Sequence, residues 1–132
     1  MKNKNGFTLF ETLVVISIIV LITAAVMVNF SGISQKARDG RRKSDLEKIR
    51  TALEMARQVG NTYPATAGAL VTTNYIQALP TDPKGYSYFY TRDPNKYKYT
   101  LDAYVELSSE ETGTYGNNCG APGVCNYRVT NP

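Results

Sequence analysis

The pattern of apolar and polar positions changes character twice along the chain. From Thr12 to Gln35 there are 24 residues without a charge, and the 16 from Leu13 to Val28 are apolar except for Ser17 and Thr23. Over residues 33–59 the apolar positions take helical spacing: Leu46, Ile49, Leu53 and Ala56 form one stripe, with Ala52 and Val59 beside it. The other faces carry the i,i+3 pairs Asp45–Lys48, Glu47–Arg50 and Glu54–Arg57. Gly60-Asn61 is a stop signal. A continuous helix from Phe7 to Val59 is 53 residues, roughly 80 Å. Gly32 and Gly40 are its weak points for bending or local melting.

Beyond Gly60 the period becomes two. Ala67 to Tyr75 predicts a short helix, with Leu70, Tyr75, Ile76 and Leu79 as core candidates, followed by turns at Pro80, Asp82-Pro83 and Lys84-Gly85. Tyr86, Tyr88 and Tyr90 alternate with Ser87 and Phe89 as in a strand. From Tyr97 the alternation is clean: Tyr97, Tyr99, Leu101, Ala103, Val105 and Leu107 on one face, Lys98, Thr100, Asp102, Tyr104 and Glu106 on the other. Tyr127 to Thr130 predicts a third strand. The expectation is an α+β fold, a long N-terminal helix packed on a small antiparallel sheet. Residues 60–132 make a module of only 73 residues, which needs the helix to complete its core.

Composition narrows the function. With 132 residues there is room for one domain. Histidine is absent, which removes Ser-His-Asp triads, Cys-His dyads and His-based metal sites. No nucleophile–base constellation is visible, so an enzyme is not expected, and no cofactor is implied. The net charge of +4 is uneven: residues 1–58 hold ten Lys/Arg against five acids, residues 59–132 five against six. The run Arg38, Arg41, Arg42, Lys43 reads as a solvated helix face, because Asp39, Asp45 and Glu47 interleave with it. Anionic lipid, intersubunit pairing and DNA are weaker readings. No aromatics alternate with these charges, so a stacking platform is unsupported and nucleic acid is not an expected partner.

The apolar run fits three readings. Phe7 to Val28 is 22 residues, about 33 Å as a helix, the thickness of a bilayer core. It also fits a secretory h-region, with Lys2 and Lys4 before it and Thr23-Ala24-Ala25 as a cleavage site. A buried core helix is the third, but nothing downstream is large enough to enclose it. Glu11 bears on the choice, because a carboxylate in an apolar run is costly and demands a partner. Gly6-Phe7-Thr8-Leu9-Phe10-Glu11, after a short Lys-bearing leader, resembles the cleavage and assembly signature of type IV pilins and pseudopilins.

That resemblance implies a mechanism. A prepilin peptidase cuts after Gly6 and methylates the new amine of Phe7, leaving residues 1–6 as leader. Glu11 then pairs with the Phe7 amine of a neighbouring subunit, which sets axial register and relieves its burial. The apolar segment 7–28 anchors the subunit once through the cytoplasmic membrane, then lines a helical homo-oligomeric filament, a pilus at the cell surface or a periplasmic pseudopilus of type II secretion. Expected partners are the peptidase, an inner-membrane assembly platform and an assembly ATPase. The positive-inside tendency, with five cations from Lys36 to Lys43 against Lys2 and Lys4, points the other way; the motif prevails because it specifies cleavage chemistry. The helix-bending proline of many family members is missing here. The alternative function is a secreted or membrane-tethered monomeric binding domain.

Tyr63-Pro64, then Tyr75-Ile76 through Leu79-Pro80-Thr81-Asp82-Pro83 and Gly85-Tyr86, resembles the loop before the sheet in major pseudopilins. Those proteins often carry an acidic calcium loop; here Asp102, Glu106, Glu110 and Glu111 lack close spacing, and no metal is expected. Cys119 and Cys125 flank Gly-Ala-Pro-Gly-Val, which suits a tight loop, and an extracytoplasmic location permits a disulfide between them. The competing reading is two free thiols in a mobile tail. The loop is expected at the surface, outside the assembly interface. Of the ten tyrosines, at least half are expected in the core or on the sheet rather than on an adhesive surface.

Overall fold

A computed structural model describes residues 6–27, 30–107, 113–120 and 123–131, with Ser31 described by its backbone only. The chain forms α1 (Leu9–Met27), α2 (Phe30–Gly60), α3 (Ala69–Thr72), β1 (Phe89–Arg92), β2 (Tyr99–Ala103) and β3 (Tyr127–Thr130). Two compact units divide it, Met1–Ser34 and Gln35–Pro132. The expected continuity from Phe7 to Val59 turns on Val28 and Asn29, which lie outside the described residues. Gly32 and Gly40 do not interrupt α2, which is helical from Phe30 to Gly60.

In the first unit α1 is apolar on all sides and buries nothing. Its hydroxyls turn inward: Ser17 donates to the Val14 carbonyl at 2.7 Å and Thr23 to the Ile19 carbonyl at 2.7 Å. The helix therefore offers no unsatisfied side-chain donor at these positions to an apolar surrounding.

In the second unit the helical stripe is the core. Leu46, Ile49, Ala52, Leu53 and Ala56 pack with Tyr63, Leu70, Tyr99, Leu101, Ala103 and Val129. Val59, expected beside the stripe, is 78% exposed, since the helix ends one residue later. The stop works through Asn61, which takes a positive φ of 57° while its N–H bonds the Arg57 carbonyl at 2.7 Å. Asp45–Lys48 and Glu47–Arg50 pair as expected, at 2.9 and 3.3 Å. Glu54 and Arg57 instead both engage Tyr63, whose hydroxyl donates to Glu54 at 2.8 Å and accepts from Arg57 at 3.0 Å.

The sheet is antiparallel in the order β1-β2-β3. β3 has the expected bounds, and β2 is shorter than the alternation from Tyr97 to Leu107. Tyr99, Leu101, Ala103 and Val105 are buried, but Tyr97 is 52% and Leu107 38% exposed. The first strand starts three residues later than Tyr86, because the chain there is held in other ways. Asp82 accepts the N–H groups of Lys84 and Tyr86, and the Ser87 N–H bonds the Cys119 carbonyl. The short helix spans only Ala69–Thr72, and Leu70 is its one buried residue. Nine of the ten tyrosines are buried or half-buried, Tyr97 being the exposed one.

Candidate functional site

The start of α1 is a capping box. Thr8 precedes the helix and Glu11 follows three residues later. The Glu11 N–H bonds the Thr8 hydroxyl oxygen at 3.3 Å, and Glu11 Oε2 accepts the Thr8 N–H at 3.0 Å and the Thr8 hydroxyl at 2.9 Å. Each side chain satisfies the other's backbone donor, as helix starts of the form Ser/Thr-x-x-Glu do. All three bonds leave Glu11 Oε1 without a partner among the described residues. Phe7 is 85% exposed beside it, and a Cβ on Gly6 would meet nothing within 4 Å. Thus Gly6, Phe7 and Glu11 lie together at one end of a helix whose large side chains are all open. From Phe7 through Val26 and Met27 the exposed residues form a continuous apolar surface, far beyond what soluble monomers present. α1 is long and apolar enough to cross a membrane.

The basic run is not a solvated face. Arg42 is fully buried. Its guanidinium holds Asp82 through Nε and Nη2, Asp39 at 2.7 Å and Glu106 at 2.9 Å. Arg38 grips Glu106 with two 2.7 Å bonds, and Lys84 reaches the same carboxylate at 2.9 Å. Asp39 in turn accepts the N–H groups of Glu106 and Leu107. Three cations and three carboxylates thereby join α2, the turn at Asp82 and the chain leaving β2. Burial works to raise the Asp82 carboxyl, but Arg42 and two backbone N–H groups outweigh it and hold it below its usual value. Hydrogen bonding from Arg38 holds Glu106 well below the usual carboxylate range against the effect of burial, with Lys84 and Arg42 adding to it. Of the run, Arg41 remains open, at 62% side-chain exposure, and Lys43 lies over the Tyr127 ring.

Cys119 and Cys125 form a disulfide. The expectation of a surface loop holds for Gly120 and Val124 but fails for the sulfur atoms, since both cysteines are fully buried. The Cys125 N–H bonds the Asn117 carbonyl, the Tyr115 N–H bonds the Cys125 carbonyl, and Gly120 packs on Tyr86. Two acids considered for calcium are committed elsewhere. Asp102, on the strand face opposite Leu101, is buried under Arg128, which holds it at 2.6 and 2.8 Å, with Asn117 adding a third bond. Glu106 belongs to the Arg42 cluster, and Glu110 and Glu111 lie outside the described residues. Among the described residues no group of three or more acids and cysteines is placed to hold a metal ion.

The profile of the prokaryotic N-terminal methylation motif matches residues 1–27. The type II secretion system core protein G of Vibrio cholerae is 33% identical across 131 aligned positions, covering 86% of this chain and 90% of that one. The chain belongs to the type II secretion core protein G family. Core protein G of Aeromonas hydrophila is 33% identical, covering 66% of this chain and 72% of its own. That of Pectobacterium carotovorum is 35% identical, covering 64% and 65%. No solved structure matches. The family is one of pseudopilins, structural filament subunits rather than enzymes, and the capping box at Thr8 and Glu11 sits inside its methylation motif.

Proposed function

We propose that this chain is a pseudopilus subunit, made as a precursor, cut by a prepilin peptidase after Gly6 and methylated on the Phe7 amine. Residues 1–6 are the leader, 7–59 the helical arm and 60–132 the C-terminal module. Before assembly α1 anchors the subunit in the cytoplasmic membrane by a single pass. After assembly the same apolar surface is buried against other copies, in a filament built by the inner-membrane platform and its ATPase.

One observation carries the reading: an entirely exposed apolar helix with a single carboxylate in its first turn, half of which is already satisfied. Thr8 bonds one Glu11 oxygen within the same chain, which lessens the cost of holding a carboxylate at membrane depth. The open oxygen is where the Phe7 amine of an adjacent subunit docks. Attraction between opposite charges in an apolar surrounding is strong and directional, so one such pair per subunit sets axial register. Gly6 serves the cut, because a residue without Cβ lets a protease approach the backbone.

The test is Glu11→Ala in the producing cell. Membrane insertion and the fold of the module stay intact, and the yield of sheared filaments collapses. Filaments at the normal yield would remove Glu11 from the mechanism.

A further inference from the structure

The segment from Thr81 to Tyr88 belongs to neither helix nor strand, and it is clamped from two sides. On one side it meets α2 and the ion cluster: Asp82 binds Arg42, Lys84 reaches Glu106 at 2.9 Å, and the Tyr88 hydroxyl donates to Asp45 at 3.3 Å. On the other side it meets the disulfide. The Ser87 N–H donates to the Cys119 carbonyl at 2.9 Å, and a Cβ on Gly120 would lie 3.8 Å from the Tyr86 ring. Outside the strand ladder and among the described residues, the Ser87 bond is the one backbone bond that ties this segment to the rest of the chain.

Tyr86 connects the two sides. Its N–H donates to Asp82 at 3.3 Å, and its ring lies 5.2 Å from the Arg42 guanidinium. A continuous path therefore runs from Cys119 through Ser87 and Tyr86 to Asp82 and Arg42. Cys125 is fastened elsewhere. Its N–H donates to the Asn117 carbonyl and its carbonyl accepts the Tyr115 N–H, while Asn117 binds Asp102 and Tyr115 lies against Arg128 of the sheet. The disulfide thus links a residue anchored on the sheet to a residue that holds the Asp82 turn. Without it, Cys119 is held to the Cys125 side by backbone bonds of a small hairpin, such as its N–H to the Gly123 carbonyl at 3.0 Å. A two-stranded hairpin alone is marginal in water.

We propose that the disulfide is a redox latch for the ion cluster: oxidation fixes Cys119 where it receives Ser87 and Tyr86, and this seats Asp82 on Arg42. The step is thiol–disulfide exchange with a disulfide oxidant. One cysteine thiolate attacks the oxidant, forms a mixed disulfide and releases one thiol. The second cysteine thiolate attacks that mixed disulfide, closes the Cys119–Cys125 bond and releases the second thiol. Two cysteine thiols lose two electrons and two protons, and the oxidant gains them as two thiols. Both cysteines are fully buried once the bond is closed, so the latch is set during folding. The inference uses the filament reading only to place the module where such oxidants act, outside the cytoplasm. The experiment, made in a glutathione buffer, does not depend on it.

Amide exchange is followed on the full chain in detergent, for the oxidised protein and for the double variant Cys119→Ser, Cys125→Ser. The latch predicts exchange at least about fivefold faster at Lys84 and Tyr86, whose N–H groups bond Asp82, and less than about twofold faster at Leu53, Ala56 and Tyr63. Faster exchange confined to Ser87, Tyr115 and the two mutated positions, or an equal acceleration everywhere, overturns it. Coupling is reciprocal, so the same link is read from the other end on protein that keeps its cysteines. In Asp82→Asn the ratio of reduced to oxidised protein in a fixed glutathione buffer rises at least about fivefold over the native chain. In Leu70→Ala, which weakens the core away from this path, it rises less than about twofold. An unchanged ratio in Asp82→Asn, or an equal shift in the two variants, overturns the proposal. If the double cysteine variant does not fold, the glutathione measurement decides alone.

Discussion

Arg42→Met removes the one cation shared by three carboxylates while keeping most of the side-chain volume. In the native structure the Arg42 side chain is fully buried, Asp82 is 1% exposed, Glu106 9% and Asp39 10%. Without the guanidinium, Asp82 keeps only backbone donors, while Glu106 still has Arg38 and Lys84. Breaking a buried pair by removing one partner costs about 3–5 kcal/mol, and the surviving partners of Glu106 place this case near the lower end. Against a total of about 5–15 kcal/mol for a domain, that is a large share. At about 4 °C or more per kcal/mol for a unit of this size, the melting temperature falls by about 12 °C or more at neutral pH. The assay is thermal unfolding of the full chain in detergent, followed by circular dichroism from pH 7 down to pH 4. In the native protein Asp82 and Glu106 have depressed values, so their stabilisation is complete above about pH 4 and is lost as pH falls through the folded values. In the variant the uncompensated carboxylates bind protons more readily folded than unfolded, so it gains stability as pH falls. The gap between the two proteins therefore narrows on acidification. A drop of only a few degrees at pH 7, or a gap that widens toward pH 4, would refute the reasoning.

Further outcomes follow from the same structure. Thr8→Val removes the hydroxyl of the capping box and costs about 1 kcal/mol at the helix start, read as faster amide exchange at residues 9–11 with the module unchanged. The double change Cys119→Ser, Cys125→Ser costs about 2 kcal/mol for so short a loop, lowering the melting temperature by roughly 10 °C, and maleimide leaves the native protein unlabelled without reduction. Burial pushes the Tyr90 phenol up to about 12, so the stabilisation it contributes is present below about pH 10 and lost as pH rises through the folded value; ultraviolet titration should show it ionising well after a free tyrosine. Asp39→Asn weakens the hold on the Glu106 and Leu107 N–H groups and raises exchange there.

Local signals in this chain were legible and distant ones were not. The apolar run, the stripe from Leu46 to Ala56 and the strand at Tyr127–Thr130 follow from spacing alone. The basic run reads as a solvated face because its sequence neighbours Asp39 and Asp45 resemble ordinary surface pairing partners. The residues that bury Arg42 are 40 and 64 positions away, and no periodicity connects them. Asp102 misleads for the same reason: alternation puts it on the outer face, and Arg128 and Asn117 then cover it. The late start of β1 reflects side-chain and backbone bonds at Asp82 and Cys119, which override the alternation of Tyr86, Tyr88 and Tyr90. At the N-terminus the motif named Gly6, Phe7 and Glu11, but the role of Thr8 emerged only with the geometry, although Thr-x-x-Glu is itself a readable capping signal.

The central claim is that this chain is processed as a filament subunit, and the mass of its mature N-terminus tests it most directly. Protein purified from its own membrane is analysed intact and after peptide mapping. The account predicts a chain that lacks Met1 to Gly6 and starts at Phe7, heavier by one methyl group on its amine. A start near Ala25, or an intact Met1 terminus in assembled material, would contradict it.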